Sequence, residues 1–162
     1  MSYLIQFIAA IMSTVGFALV FSIPLKTLAV SAVNGGFGWI VFKFVIDLTD
    51  SKYVAVFLSA LSITFISEML AKKLRYPASV FIMPGIINLV PGEGIYNTMS
   101  YFANNQSELA LDSFYSTMVV AGSISFGILL ASSFSMSLKA FRTRTVVRTN
   151  YLRRKKWLKK YI

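Results

Sequence analysis

The backbone and side-chain groups best suited to bind a ligand lie in residues 77–99, PASVFIMPGIINLVPGEGIYNTM. This stretch is apolar, but it holds Pro84 and Gly85, then a second Pro-Gly pair at residues 91–92, then Glu93. A proline has no backbone N–H, so each one leaves the carbonyl four residues earlier without its helical partner. In a membrane, such a break survives where it lines a cavity, and its free carbonyls and N–H groups bind solutes there. The pattern therefore predicts a binding site at a broken helix.

The predicted site extends from the break to nearby polar side chains. A half-helix that begins near Ile95 would turn its N–H groups and positive dipole end toward a substrate carboxylate. The residues predicted to line the path are Pro84, Asn88, Pro91, Gly92, Glu93, Gly94, Tyr96, Asn97 and, from an earlier segment, Asn34. For Asn34 the preferred interpretation is packing beside three glycines, and for the whole stretch the alternative is a kinked helix that binds nothing.

The composition is that of an integral membrane protein. Of 162 residues, 56% are hydrophobic and 14% are charged, whereas a soluble domain carries about a quarter charged residues. Cysteine and histidine are absent, which excludes Cys-based and His-based metal sites, Ser-His-Asp triads and disulfide bonds. The six acidic residues leave little for paired-carboxylate catalysis. We therefore expect neither enzymatic activity nor a cofactor or metal.

Five segments are apolar enough to cross a membrane, since a transmembrane helix needs about 20 apolar residues. They are residues 3–23, 27–46, 53–70, 77–103 and 113–138. The fourth, as one straight helix, would reach about 40 Å, past a core of about 30 Å, so it is expected to unwind at residues 91–94. We predict an all-α, polytopic membrane protein of about five transmembrane helices, the fourth broken at Pro-Gly. Residues 1–140 form the transmembrane domain and residues 141–162 a basic tail.

Two acidic residues are expected inside the membrane segments. Glu93 would lie near mid-depth, where a bare charge costs at least a few kcal/mol, so it should be protonated, paired or solvated in a cavity. It could carry a coupling proton, repel anions or pair with a helix of another subunit. Glu68 precedes Lys72 by four residues, which predicts an ion pair at the membrane edge. Small residues at four-residue spacing in the fifth segment predict close packing against neighbouring helices, from this chain, further copies or a partner.

The net charge of +10 belongs to the tail, because ten of the sixteen Lys and Arg residues lie between positions 139 and 160. Arg153, Arg154, Lys155 and Lys156 are predicted to face anionic lipid head groups, with RNA binding as the less favoured alternative. We predict no nucleic-acid partner. Counting Lys and Arg in the loops places the C-terminus in the cytoplasm and the N-terminus outside.

Several of these residues resemble one known family. Residues 16–24, GFALVFSIP, the glycine-rich second segment, and Val90-Pro91-Gly92 followed by Tyr96 and Met99 are similar to the YjjB-like small subunit of the threonine/serine exporter family. The resemblance covers nearly the whole chain, and Pro-Gly-x-x-x-Tyr is its most specific part. Glu93 is not part of that pattern, so its ion-coupling role is predicted from the residues alone.

The resemblance implies a bacterial inner-membrane exporter of small hydrophilic metabolites, either threonine and serine or dicarboxylates such as succinate. It also implies a larger YjjP-like subunit as partner and path-lining roles for Pro91, Gly92 and Tyr96. We therefore expect a secondary exporter subunit whose substrate is small, polar and carboxylate-bearing. The competing interpretation is a membrane scaffold or a lysis-type pore former.

Overall fold

The computed structural model describes the backbone of residues 3–161 and the side chains of residues 3–137. Its elements are α1 Tyr3–Val20, α2 Leu25–Thr49, α3 Lys52–Leu74, α4 Ser79–Ile86, a 3-10 helix Ile87–Leu89, α5 Gly92–Ala103 and α6 Ser107–Tyr161. Helices α1, α2, α3 and the first 31 residues of α6 are each long and apolar enough to span a membrane. The predicted all-α polytopic fold is confirmed. The predicted boundary between residues 140 and 141 falls within α6.

Local sequence explains where the long helices end. Pro24 precedes α2, with φ −55° and ψ 128°, because proline cannot continue α1 but suits the start of a helix. Asp50 and Arg75 close α2 and α3 in the left-handed conformation, with φ of 53° and 60°, and this conformation is a common end for a helix. The N–H of Asp50 donates to the carbonyl of Ile46 at 2.9 Å. These stops produce the short turns that place consecutive helices antiparallel.

Contacts between side chains fix the relative directions of the helices. Tyr3 Oη donates to Asp47 Oδ2 over 2.5 Å, so the start of α1 meets the end of α2. Helix α3 returns alongside α2, where Ser59 Oγ donates to the Gly38 carbonyl at 2.6 Å. Helix α6 runs parallel to α3, since Tyr53 Oη lies 3.4 Å from Ser116 Oγ at one end and Lys72 Nζ donates to Ser135 Oγ at 3.0 Å at the other.

The fourth segment crosses the bundle once, as two short helices that continue in the same direction. Helix α4 runs parallel to α2, from Val80 near Ser31 to Gly85 near Asn34. Helix α5 runs antiparallel to α6, from Gly94 against Thr117 to Thr98, whose Oγ1 lies 3.2 Å from Ser113 Oγ. The segment is therefore not re-entrant. The beginning of α1, the α2–α3 turn and the α5–α6 turn share one end of the bundle, as five passes require.

The core lies where α3, α4 and α6 meet. Its buried apolar residues are Val56, Ala60, Ile63, Ile86, Leu89, Val120 and Ile124. A Cβ on Gly127 would lie 2.8 Å from the Phe57 carbonyl, so α6 approaches the backbone of α3 there. Ala131 and Ser135 continue this buried face of α6. The predicted packing by small residues of the last segment is confirmed for this face.

Candidate functional site

The helix break lies at Val90 and Pro91, between α4 and α5. Val90 is extended, with φ −62° and ψ 129°, and Pro91 has φ −78° and ψ 58° before α5 begins at Gly92. The prediction that residues 91–94 unwind and that the second half-helix starts near Ile95 was therefore wrong by three residues. Proline suits the position before a first helical turn, where its missing N–H costs nothing, so the new helix starts directly after it.

Two of the carbonyls at the break, those of Ile87 and Val90, have backbone partners. The N–H of Val90 donates to the Ile87 carbonyl at 3.2 Å, and the N–H of Gly92 donates to the Val90 carbonyl at 2.8 Å. The prediction that Pro91 frees the Ile87 carbonyl for a ligand was wrong, because the 3-10 turn supplies a closer donor than the α-helix would. The N–H groups of Glu93 and Gly94 belong to the first turn of α5, which has no preceding helical carbonyl to accept them. The start of α5 therefore offers backbone N–H donors beside the break.

Two adjoining cavities lie beside the break. The outer cavity, of about 270 Å³, is lined by Lys52, Pro91, Glu93, Gly94, Asn97, Tyr101, Leu109, Asp112, Ser113, Ser116, Thr117 and Val120. The inner cavity, of about 230 Å³, is lined by Trp39, Phe42, Lys52, Val56, Asn88, Leu89, Val90, Pro91, Gly92, Glu93, Gly94 and Val120. Lys52, Pro91, Glu93, Gly94 and Val120 face both. The break thus forms the wall between a polar opening and a more apolar interior.

Hydroxyl groups fix the contact between α5 and α6 beside the outer cavity. Thr98 Oγ1 and Ser113 Oγ both donate to the Gly94 carbonyl, at 2.7 and 3.2 Å. A Cβ on Gly94 would overlap the hydroxyl of Thr117, so only glycine allows this approach. Thr117 Oγ1 donates to the Ser113 carbonyl at 2.7 Å. The cavity wall is therefore held in place by polar contacts that do not involve Lys52, Glu93 or Asp112.

Three charged side chains line the outer cavity. Lys52, at the first position of α3, Glu93, in the first turn of α5, and Asp112, on α6, are all exposed. Within the described side chains, no ion pair joins these three to one another. The cavity therefore presents one ammonium and two carboxylates, in solvent, to whatever enters it.

Glu93 lies at the level of the start of α3 rather than of its middle. It shares both cavities with Lys52, which begins α3. Lys52 and Lys72 are 20 residues apart on α3, or about 30 Å, which equals the hydrocarbon thickness. The structure does not place Glu93 midway along the bundle, because α4 and its 3-10 turn already bring the chain to the start of α3. The part of the fourth segment that exceeds about 30 Å is α5, which extends past the start of α3.

Three of the predicted path residues line neither the outer nor the inner cavity. Pro84 is buried within α4, and the Val80 carbonyl that it frees accepts a hydrogen bond from Ser31 Oγ at 3.5 Å. Tyr96 is 72% exposed on α5. Asn34 is only 3% exposed, and its Nδ2 donates to Ser67 Oγ at 2.9 Å, in keeping with the preferred packing interpretation.

The other six predicted residues line one or both cavities, namely Asn88, Pro91, Gly92, Glu93, Gly94 and Asn97. Asn88 lies on the inner cavity, and its Nδ2 donates to Thr14 Oγ1 at 2.9 Å and to the Ala10 carbonyl at 3.2 Å. Lys52 and Asp112 were missed by sequence reasoning. The available signal was that both are charged residues flanking apolar segments at the same end of the bundle.

The opposite end of the bundle holds a second polar cluster. Lys72 Nζ donates to Ser135 Oγ at 3.0 Å, and Ser135 Oγ donates to Glu68 Oε2 at 3.2 Å. The predicted link between Glu68 and Lys72 thus runs through a hydroxyl of α6. The predicted lipid-facing residues Arg153, Arg154, Lys155 and Lys156 have side chains outside the described residues.

Comparison with known proteins assigns the family. The profile described as "Threonine/Serine exporter, ThrE" matches residues 6–134. An uncharacterised protein of Haemophilus influenzae is 27% identical over 129 residues, which cover 75% of this chain and 43% of the relative. The chain thus spans less than half the length of that relative. No solved structure matches. Since the family profile covers most of the sequence, this chain belongs to the threonine/serine exporter family.

Proposed function

We propose that this chain is a membrane subunit of a secondary exporter and that its outer cavity binds a small, polar, carboxylate-bearing solute. The supporting observation is that Lys52, Glu93 and Asp112 line one cavity at the start of α5 without pairing with one another. Charges held at a cavity and left unpaired are suited to a charged ligand. Membership of an exporter family supports transport as the purpose of such a site.

The arrangement suggests how the solute binds. A carboxylate would accept hydrogen bonds from the first-turn N–H groups of α5 and pair with the Lys52 ammonium, since a helix N-terminus favours an anion. An ammonium group on the same solute would pair with Asp112 or Glu93. Asn97 and Ser113 lie on the same cavity and offer hydrogen bonds to a hydroxyl group.

The balance of charge favours one substrate class over the other. A zwitterionic amino acid such as threonine or serine brings one negative and one positive group to a cavity holding one ammonium and two carboxylates. A dicarboxylate such as succinate would meet two like charges and one Lys, and like charges facing each other oppose binding. We therefore propose a small amino acid as the substrate.

During export the solute would pass from the inner to the outer cavity, past the wall at Pro91 and Glu93. The proposed driving force is a proton or ion gradient. Glu93 is the candidate coupling group because its side chain faces both cavities. Measuring export against pH tests this role: a Glu93→Gln variant should lose the pH dependence of the parent. An unchanged pH profile would remove Glu93 from the coupling step.

The complete exporter would require more than this chain. Our proposal includes the larger YjjP-like subunit, supported by the observation that the Haemophilus influenzae relative extends well beyond the matched region. The assembly would sit in a bacterial plasma membrane with the cavity end outside and the basic tail against anionic lipids in the cytoplasm.

An export assay tests the site. Cells producing this chain and the YjjP-like subunit are loaded with labelled threonine, serine or succinate. We expect Lys52→Gln to slow amino-acid export about tenfold, a loss of about 1.4 kcal/mol in transition-state stabilisation. Lys43→Gln is the matched control, because Lys43 pairs with Asp47 at 3.4 Å and lines neither cavity. Equal export by both variants would contradict the site, and export of succinate alone would contradict the substrate class.

A further inference from the structure

An apolar groove of about 430 Å³ runs along the surface of the bundle between α2 and α3. We call it the α2–α3 groove. The residues that line it are Ala29, Val30, Val33, Asn34, Phe37, Ile66 and Leu70. The one polar residue of this set, Asn34, is only 3% exposed, so it contributes almost none of the lining surface. The groove therefore offers hydrocarbon to its occupant.

The length of the groove suits one acyl chain. Helices α2 and α3 are both long and apolar enough to cross a membrane, and Val33 and Phe37 are 54% and 44% exposed on the groove wall. The groove extends along α2 from Ala29 to Phe37, a rise of about 12 Å. One leaflet is half of a hydrocarbon core of about 30 Å. A lipid tail could therefore lie in the groove along most of one leaflet.

Two exposed lysines lie on the same helix faces as the groove. Lys26 comes seven residues before Val33 on α2, and Lys73 comes seven residues after Ile66 on α3. A spacing of seven residues, two helical turns, returns a side chain to the same face of a helix. The apolar lining thus continues into an ammonium group on each of the two helices.

The register of α2 and α3 brings both lysines to the same end of the groove. Asn34 Nδ2 donates to Ser67 Oγ at 2.9 Å, so these two residues lie side by side on antiparallel helices. Lys26 precedes Asn34 by eight residues, about 12 Å. Lys73 follows Ser67 by six residues, about 9 Å in the same direction. Since charged side chains are costly within hydrocarbon, this end of the groove lies among head groups.

Charge identifies the occupant. No ion pair within the described side chains involves Lys26 or Lys73. Glu68, the single acidic residue of residues 51–92, is buried and accepts a hydrogen bond from Ser135 of α6. An anionic head group would therefore meet two ammonium groups that flank the groove itself. A second copy bound through the same face would bring its own two lysines to the contact, where like charges oppose association.

We propose that the α2–α3 groove binds an anionic phospholipid, with an acyl chain along Val33 and Phe37 and the phosphate paired with Lys26 and Lys73. Basic pockets between transmembrane helices bind anionic head groups in this way. The groove shares no lining residue with the outer or the inner cavity, and it is distinct from the predicted lipid contact of residues 153–156. Lipid binding here is independent of which solute the chain exports.

Photo-cross-linking tests the site in the full chain. The protein is placed in phosphatidylcholine vesicles with a small fraction of phosphatidylglycerol that carries a diazirine on its acyl chain. A parallel sample contains phosphatidylcholine with the same diazirine, and labelled residues are mapped by mass spectrometry. Leu129, 63% exposed on α6, serves as the reference for general attraction of anionic lipid to this basic chain. Relative to Leu129, we expect phosphatidylglycerol to label Phe37 about twentyfold more than phosphatidylcholine does.

Charge-removing variants sharpen the test. Lys26→Gln and Lys73→Gln should each lower the preference for phosphatidylglycerol at Phe37 about fivefold. Lys43→Gln is the matched control, because Lys43 lies near the other end of α2 and pairs with Asp47 at 3.4 Å, and it should leave the preference unchanged. The thermal unfolding midpoint in detergent is measured for each variant, and the parent chain alone already tests the preference.

Three outcomes would overturn the lipid site. The first is an equal preference at Phe37 and Leu129 in the parent chain. The second is a loss in Lys43→Gln as large as that in Lys26→Gln, since this would reflect net charge rather than a site. The third is a disulfide between two copies of Val33→Cys without lipid labelling at Phe37, which would identify a second copy as the occupant of the groove.

Discussion

The chain contains two Pro-Gly pairs in the same apolar segment, and they produce different structures. Pro84 and Gly85 remain within α4, where the freed Val80 carbonyl meets Ser31 and Gly85 packs against Ile63. Pro91 and Gly92 end one helix and begin another, with cavities alongside. A Pro-Gly pair therefore lines a cavity only where the neighbouring helices leave space and polar groups converge.

The surroundings explain the difference. The first pair lies between α2 and α3, whose small residues allow close contact with α4. The second pair lies near the end of α2 and the start of α3, where Trp39 and Phe42 of α2 line the inner cavity. Helix α6 and the first residues of α3 line the outer cavity beside it. Lys52 and Asp112 come from those two elements. At the first proline, the packed neighbouring helix supplies a hydrogen bond to the freed Val80 carbonyl. At the second, the open surroundings leave a boundary between two cavities.

The largest effect on stability is expected at the contact that holds the second region in shape. Gly94→Ala places a methyl group on the Thr117 hydroxyl, and such overpacking costs about 1–3 kcal/mol. We expect a lower thermal unfolding midpoint in detergent and reduced export. The double variant Gly94→Ala with Thr117→Ala should recover most of the midpoint. If the single variant unfolds at the parent temperature, the close approach of α5 to α6 is wrong.

A smaller, paired effect compares the glycines that follow the two prolines. A Cβ on Gly85 would lie 2.8 Å from Ile63 Cγ2, whereas a Cβ on Gly92 meets nothing within 4 Å. Gly85→Ala should therefore lower the unfolding free energy by about 1 kcal/mol, at the low end of overpacking costs, and Ile63→Val should relieve it. Gly92→Ala should leave the unfolding midpoint unchanged. Equal loss in both variants would remove the distinction between a packed and an open Pro-Gly pair.

Sequence reasoning predicted the helices and the existence of the break, because segment length, apolar composition and proline act locally. It placed the start of α5 three residues late, since it did not consider that Gly92, Glu93 and Gly94 form a first helical turn behind Pro91. It also placed Glu93 at mid-depth, because depth depends on where α3 and α6 end. These errors concern position along the membrane rather than the kind of element.

Local sequence patterns could not predict that Lys52 and Asp112 line the same cavity. Lys52 and Asp112 are 60 positions apart and lie on one cavity because α3 and α6 run parallel, with Tyr53 beside Ser116. Nothing in their spacing predicts that register. For Asn34, in contrast, the neighbouring glycines alone predicted a position packed against another helix. The structure shows its Nδ2 donating to Ser67 Oγ and to the Ile63 carbonyl of α3.

The proposed transport site is the break at Pro91, and not the kink at Pro84. Export of labelled threonine and serine is measured for Pro91→Ala and Pro84→Ala, each with the YjjP-like subunit and at matched amounts in the membrane. If the break forms this site, Pro91→Ala should slow export about tenfold or more, equivalent to at least about 1.4 kcal/mol. Pro84→Ala should export at nearly the parent rate. Parent-like export by Pro91→Ala, or an equal loss in both variants, would contradict it.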